Sequence, residues 1–235
     1  MQDRQRVTAA GLLVVSVLAV QPPLRAQQRD VRDLSGFHSV SIGGGLDLHL
    51  RRGDAFRVEV ETDEDATEII TEVRDGTLDV RRDRPWFDFF GDSLEGEVYV
   101  TMPTLQGLSA SGGSDVKGEG SFAGDALTIN ASGGSDVELD AAVNSVEVHA
   151  SGGSDVRLTG TARSARLQSS GGSDLDAGRF TADEAIVDSS GGSDVSIGVR
   201  TSITGHASGG SDISYSGEPG TVNVESSGGG DVRRR

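Results

Sequence analysis

Apolar and polar residues alternate on both sides of a recurring five-residue segment, Ser-Gly-Gly-Ser-Asp. Val146-Glu147-Val148-His149-Ala150 precedes one copy of this segment, and Val156-Arg157-Leu158 follows the same copy. Such alternation is typical of a β-strand that buries one of its two faces. The pattern therefore predicts a strand, a glycine corner and a second strand, repeated along the chain.

The segment recurs at nearly even intervals. Six copies lie between residues 111 and 212, and a variant, Ser-Gly-Gly-Gly-Asp, occupies residues 227–231. A period near twenty residues predicts stacked coils, because one such coil cannot bury a core alone. We therefore predict an all-β protein, a parallel β-helix (solenoid) with coils of about 19 residues, right-handed by the usual crossover preference.

Stacking of equal positions would align the side chains in columns. The column after each segment is apolar in every copy: Val116, Val137, Val156, Leu175, Val195, Ile213 and Val232. The inward column before the segments is apolar except at one glycine: Leu108, Ile129, Val148, Leu167, Val187, Gly205 and Val224. The outward column beside it is polar: Ser109, Asn130, His149, Gln168, Asp188, His206 and Glu225. The columns predict a core that runs along the stack.

The chain before the repeats is predicted to form an earlier coil and a strand and hairpin cap. Gly44–Leu50 resembles a degenerate copy of the repeat, and Asp75-Gly76 is a hairpin turn signal. The predicted elements are strands at 57–61 and 97–101, a short helix at 64–70 and a hairpin at 73–81. We predict a short linker at 27–33 and a single solenoid domain at 34–235, with the N-terminal coil and cap at 34–107 and the repeats at 108–235.

Residues 1–26 have the pattern of a signal peptide. Arg4 and Arg6 precede an apolar stretch of about a dozen residues, and small residues follow up to Ala26. The prediction is an exported protein, found in the periplasm, at the cell surface or outside the cell, whose mature chain has no membrane span. The chain has no cysteine, so neither disulfides nor acylation of a cysteine is expected.

The charge of the chain restricts its partners. The net charge is −16, and residues 1–26 contribute three Arg and one Asp, so the mature chain would carry −18. This acidity argues against nucleic acid as a partner. Cell-envelope polysaccharide or a surface protein remains as the expected partner.

Stacking would bring the aspartates of the segments into one column with a spacing of about 5 Å. These residues are Asp115, Asp136, Asp155, Asp174, Asp194, Asp212 and Asp231. Like charges at this spacing repel. Calcium bound by the carboxylates would offset the repulsion, and it is the one candidate cofactor or metal. The alternative is structural: Ser and Asp side chains at a turn hydrogen-bond to nearby backbone groups.

Aromatic residues are concentrated in the segment 84–91, which contains Trp86, Phe87, Phe89 and Phe90. A solenoid needs its open end covered, so this segment would form a cap over the core. Alternatively, it would be an exposed patch that binds a partner.

Signals of an enzyme are missing from the sequence. There is no cysteine nucleophile, no Gly-x-Ser-x-Gly elbow and no His-Glu-x-x-His motif. No catalytic residue is therefore predicted. We expect a non-enzymatic β-solenoid that serves as a structural or adhesin-like binding module at the cell envelope. The alternatives are a calcium-binding repeat module and, less favoured, a polysaccharide-active enzyme.

Four parts of the chain resemble a bacterial family known as the putative auto-transporter adhesin, head GIN domain. They are 37–48 (FHSVSIGGGLDL), 71–78 (TEVRDGTL), 102–105 (MPTL) and 108–113 (LSASGG). The resemblance covers about residues 34–232 and implies an exported β-helical protein of unknown function. It implies no catalytic residues. Unlike the looser family pattern, nearly all Ser-Gly corners of this chain carry an aspartate at the same position.

Overall fold

Sixteen strands and one 3₁₀ turn make up the part of the chain that the structure, a computed structural model, describes: residues 28–62, 66–83 and 96–235. The N-terminal elements are β1 (Gln28–Arg32), β2 (Ser39–Gly43), β3 (Asp47–Arg52), β4 (Arg57–Thr62), the 3₁₀ turn (Ala66–Glu68), β5 (Ile69–Arg74), β6 (Thr77–Arg82), β7 (Gly96–Met102) and β8 (Gly107–Ser111). The repeats supply β9 (Asp115–Ser132), β10 (Asp136–Ser151), β11 (Asp155–Ser170), β12 (Asp174–Gly191), β13 (Asp194–Gly209), β14 (Asp212–Ser216), β15 (Thr221–Ser226) and β16 (Asp231–Arg234).

The strands of the repeats stack in parallel with equal positions directly above one another. Asp136 pairs with Asp115 on one side and with Asp155 on the other, and the same register continues to Asp231. The predicted apolar columns are aligned in the same way, from Leu108 to Val224 and from Val116 to Val232. The predicted β-solenoid, with about seven coils of about 19 residues, is confirmed.

The core follows the alternation of the sequence. Val148 and Leu167 in the column before the corners are fully buried, as are Val137 and Val156 in the column after them. Phe122 and Phe180 are fully buried as well. The core therefore extends along the stack as aligned ladders of apolar side chains, which are only partly buried at Val224 and Val232 in the last coil.

The coils at the N-terminal end do not stack in chain order. Strands β2 and β3 pair in parallel with β8 and β9 on one side, and with β6 and β7 on the other. The predicted earlier coil is thus confirmed, but it lies inside the stack. The predicted hairpin is also present: β5 and β6 pair antiparallel through a turn at Asp75-Gly76, where φ is 48° and 74°. Antiparallel β4 and β1 complete this end.

Two predictions for the N-terminal region were wrong. Residues 28–32 of the expected linker form β1, because their backbone pairs with β4 and Arg29 forms an ion pair of 2.6 Å with Glu61. Of the expected helix at 64–70, residues 66–68 form a 3₁₀ turn instead, and residues 69–70 belong to β5. The predicted signal peptide and the aromatic segment 84–91 lie outside the described residues. Within the described ranges, no helix is long and apolar enough to cross a membrane.

Glycine sets the shape of each corner. Gly152, the first glycine of its corner, has φ of 70°, a conformation that side-chain-bearing residues rarely adopt. A Cβ atom there would lie 3.3 Å from the backbone nitrogen of Gly133 in the preceding coil. The corners therefore have a fixed length and a surface without side chains, which we call the glycine ridge (residues 112–113, 133–134, 152–153, 171–172, 191–192 and 209–210).

Candidate binding faces beside the glycine ridge

The second serine of each segment points into the protein. Ser114, Ser135, Ser154, Ser173, Ser193 and Ser211 are all completely buried. The hydroxyl of Ser154 accepts a hydrogen bond from the Ser151 N–H at 3.1 Å and lies 3.1 Å from the Ala131 carbonyl oxygen and 3.0 Å from that of Ser151. The serine thus satisfies backbone groups of its own corner and of the preceding coil. The structural role predicted for the corner serines is confirmed by these contacts.

The aspartate after this serine points outward. Asp115, Asp136, Asp155, Asp174, Asp194 and Asp231 are exposed, and Asp212 is partly exposed. The backbone N–H groups of Asp136, Asp155, Asp174, Asp212 and Asp231 donate to serine carbonyl oxygens of the preceding coil, for example Asp155 to Ser135 at 3.1 Å. The carboxylate of Asp212 accepts a hydrogen bond from the Asp231 N–H at 3.2 Å, and that of Asp231 accepts one from the Val232 N–H at 2.9 Å. The backbone ladder therefore holds the carboxylates at the spacing of the coils.

The row of carboxylates continues beyond the repeats. Asp47 precedes Leu48, which pairs with Val116, and Asp47 itself pairs with Glu97. Glu97 in turn pairs with Glu61 on β4. We call these ten residues the acidic column (Glu61, Glu97, Asp47, Asp115, Asp136, Asp155, Asp174, Asp194, Asp212 and Asp231). The likeness of Gly44-Gly45-Leu46-Asp47 to the repeat could have revealed Asp47, whereas no sequence signal pointed to Glu61 or Glu97.

A second column lies beside the acidic one, and its charges alternate in sign. Lys117, Glu138, Arg157 and Asp176 follow one another through four coils. Arg157 and Asp176 are 3.7 Å apart. The two columns enclose a cavity of about 550 Å³, which we call the charged groove, and a smaller cavity of about 210 Å³ continues along the same columns to Arg233. The groove offers a row of carboxylates on one side and paired charges on the other.

Stacked side chains lie on the N-terminal end of the same face. The rings of His49 and Tyr99 stack with their centres 4.7 Å apart, and the Arg29 guanidinium lies 5.2 Å from the centre of the Tyr99 ring. The Tyr99 hydroxyl donates a hydrogen bond to Glu97. This bond, burial and the charge of Glu97 raise the pKa of Tyr99 to about 12, so the phenol stays protonated. The packed side chains of Arg29, Tyr99 and His49 therefore form the surface at this end of the face.

The carboxyl of Asp136 has a shifted pKa, because it is partly desolvated although the residue as a whole is exposed. Burial, followed by the neighbouring charges of Asp115 and Asp155, raises the pKa of Asp136 above its ordinary value. Asp176 in the alternating column shows the reverse: hydrogen bonds from the Ser196 hydroxyl and the Gly178 N–H lower its pKa. The charged form is therefore disfavoured in the middle of the acidic column and favoured beside it.

The raised pKa predicts that Asp136→Asn stabilises the protein at neutral pH. A carboxyl whose pKa is higher in the folded state lowers stability as pH rises from the unfolded pKa through the folded one. We expect the variant to melt about 1–3 °C above the wild type at pH 7. The gain should shrink as the pH falls toward the ordinary pKa of aspartate. Melting curves between pH 4 and 7 measure this.

Asp54→Asn is the matched control, since Asp54 is an exposed aspartate outside the acidic column. It should leave the melting temperature within about 1 °C of the wild type at every pH. A gain for Asp136→Asn that does not change with pH would contradict the electrostatic explanation.

The calcium hypothesis stays a prediction. Among the described residues, no three or more carboxylate or imidazole side chains converge as a metal-binding group. The side chains of the acidic column point outward next to one another. A cation would thus lie between carboxylates of neighbouring coils and take its remaining ligands from water.

A second groove runs along the other side of the glycine ridge. The predicted polar column is aligned there, and His149, Gln168, Asp188 and His206 follow one another through four coils. Opposite them are the hydroxyls of the corner serines Ser151, Ser170, Ser190 and Ser208. The cavity between them has a volume of about 400 Å³, and we call it the neutral groove. The two grooves differ in chemistry: one is ionic, and the other is rich in uncharged hydrogen-bonding groups.

A family model described as "Putative auto-transporter adhesin, head GIN domain" matches residues 36–219. The chain belongs to this family. The matched region of this head GIN domain begins before the coil formed by β2 and β3 and ends after β14, so it includes both grooves. No curated protein matches the chain.

Solved structures share the fold of this head GIN domain. A putative adhesin from Bacteroides fragilis superposes with a TM-score of 0.83 at 24% identity, covering 91% of this chain and 99% of the other. A putative adhesin from Parabacteroides distasonis gives 0.71 at 16% identity, covering 88% and 97%. A putative lipid binding protein from Parabacteroides distasonis gives 0.66 at 18% identity, covering 88% and 96%.

Proposed function

We propose that this head GIN domain is an exported, non-enzymatic binding module at the cell envelope. Its charged groove holds an extended partner that carries regularly spaced positive charges. The observation that carries the proposal is the acidic column: ten carboxylates follow one another along a single sheet. The leader-like pattern of residues 1–26 and the description of the family support export to the envelope.

Regular spacing gives the column its binding capacity. One exposed ion pair contributes only about 0–1 kcal/mol, so a single aspartate would hold no partner. The column offers one carboxylate per coil on a sheet that is already ordered, so binding would cost little conformational entropy. A polymer with many ammonium groups could engage several coils at once, and each further contact would be intramolecular. The partner is therefore expected to be a polymer and not a small molecule.

Two sources of ammonium groups fit the groove: a basic segment of a surface protein, and a polysaccharide of amino sugars. The experiment uses poly-lysine and a de-acetylated glucosamine polymer as probes, with binding to the immobilised domain measured at two salt concentrations. We expect binding at low salt that weakens strongly in 0.5 M NaCl, because salt screens exposed charges. The probe that binds more tightly identifies the class of partner.

The test variant replaces Asp136, Asp155 and Asp174 with asparagine. It should bind the preferred probe at least tenfold more weakly, because three neighbouring contacts are lost. The control variant carries Asp33→Asn, Asp54→Asn and Glu184→Gln, which change the net charge equally at exposed positions outside the charged groove. The proposal fails if both variants lose affinity equally, or if the wild type binds neither probe.

Calcium binding is the second candidate function, and the raised pKa of Asp136 favours it. A cation between the carboxylates of Asp115, Asp136 and Asp155 would remove their mutual repulsion, which raises this pKa in addition to the larger effect of burial. Melting curves in millimolar CaCl₂, in MgCl₂ and in chelator give the test. A calcium-binding module should melt several degrees higher with calcium than with magnesium, and the triple asparagine variant should lose this gain. Identical curves in all three solutions would eliminate the candidate.

A further inference from the structure

We infer that the neutral groove is a binding site for an uncharged, extended polysaccharide. This goes beyond the function proposed above and does not depend on the acidic column. The inference rests on the position of the neutral groove, the kinds of groups that line it and the ion pair of its one carboxylate.

The groups that line the neutral groove match those of a sugar chain. Imidazole, amide and hydroxyl groups each both donate and accept hydrogen bonds, as sugar hydroxyls do. His149, Gln168 and His206 lie on one side, and the serine hydroxyls lie on the other. These groups form no row of like charges, so the neutral groove lacks the feature by which the acidic column would select a charged polymer.

The one carboxylate in the neutral groove already has a partner. Asp188 lies 3.7 Å from the Arg166 guanidinium, which also lies 3.7 Å from Glu147. Arg166, which Asp188 shares with Glu147, offsets part of this charge, and no second carboxylate of the groove lining stands next to it. A single exposed ion pair contributes only about 0–1 kcal/mol, so one ammonium group would gain little there. This separates the neutral groove from the charged groove, in which the carboxylates of the acidic column face one another along the stack.

The shape of the neutral groove suits a chain that lies across the coils. Its floor consists of small residues, Ala150, Ser169 and Ser189, so a ring can approach the backbone. The Ser227 hydroxyl and His206 Nε2, 3.1 Å apart, lie at its C-terminal end. The lining spans four coils at about 4.8 Å per coil, and each coil offers one group on each side of the chain. A chain with about one sugar unit per coil would thus place every unit between one group on each side of the groove.

The test measures binding of two series of uncharged oligosaccharides by calorimetry: β-linked glucose oligomers and β-linked N-acetylglucosamine oligomers. We expect the affinity for one series to rise with length up to about four units, the number of coils in the groove, and to be insensitive to 0.5 M NaCl. The salt response distinguishes this site from the charged groove.

The variant carries His149→Ala, Gln168→Ala and His206→Ala, which remove three exposed or half-exposed side chains from the neutral groove. It should lose at least tenfold in affinity, which corresponds to about 1.4 kcal/mol. The control carries Thr128→Ala, Thr204→Ala and Asn223→Ala on a neighbouring outward column, and it should bind like the wild type. Melting curves verify that both variants are folded.

The inference is overturned if the wild type binds neither series at millimolar concentration, or if the two triple variants weaken equally. The asparagine variant of the charged groove should still bind the uncharged oligomers normally. Loss of binding at one groove can therefore be distinguished from loss of binding at the other.

Discussion

Replacing Gly205 with alanine is expected to lower the melting temperature by about 6–12 °C. Gly205 lies in the inward column between Val187 and Val224, where every other member of the column is apolar. A Cβ atom at this position would lie 1.9 Å from the Val187 carbonyl oxygen, so the backbone of one coil must move. Overpacking typically costs about 1–3 kcal/mol and occasionally more, and a clash with the backbone at this distance belongs to the upper end of that range. Thermal unfolding followed by circular dichroism gives the measurement.

Gly124→Ala is the control for this prediction. Gly124 lies in a strand of the same array, but no atom lies within 4 Å of the position that its Cβ would take. We expect this variant to change stability by no more than about 0.5 kcal/mol. If Gly205→Ala melts together with Gly124→Ala, the close approach of the two coils is not a constraint in solution.

Replacing Ser154 with alanine is expected to lower the melting temperature by about 4–8 °C. The change leaves the Ser151 N–H and the Ala131 carbonyl without their side-chain partner inside the protein. Loss of a buried hydrogen-bond partner costs about 2 kcal/mol, mainly because the remaining groups cannot reach water. The same unfolding experiment measures the effect.

Ser164→Ala is the control for the serine prediction, because Ser164 is an exposed serine in the same strand, β11. It should unfold at the temperature of the wild type within about 1–2 °C. If the two variants lose equal stability, the buried hydrogen bonds of Ser154 contribute nothing beyond what an exposed serine contributes.

The sequence predicted the repeats accurately because the corner has a constant length. With Gly152-Gly153 fixed, alternation alone determines that Ser154 points inward, Asp155 outward and Val156 inward, and stacking then aligns equal positions. The acidic column in the repeats and the polar column of the neutral groove both followed from this reasoning. The residue types in those columns also give the difference between the grooves, which is carboxylates in one and mainly imidazole, amide and hydroxyl groups in the other.

The N-terminal part was less predictable, because neighbours in space are distant in the chain. Glu61 and Glu97 reach the acidic column only through the pairing of β4 with β7 and of β7 with β3, and no local pattern encodes this order. Strand β1 has a polar sequence, Gln-Arg-Asp-Val-Arg, that lacks the alternation of a half-buried strand. Backbone pairing and the contact between Arg29 and Glu61 make it a strand.

Because the coil at 39–52 lies inside the stack, the two ends of the stack should unfold locally in different ways. At the C-terminal end, each strand pairs with strands of the adjacent coils, so the coils can open one after another from β16 inward. At the other end, β2 and β3 are held between strands from later in the chain, so this region must open as a block. Hydrogen exchange should therefore spread gradually from one terminus and begin abruptly at the other.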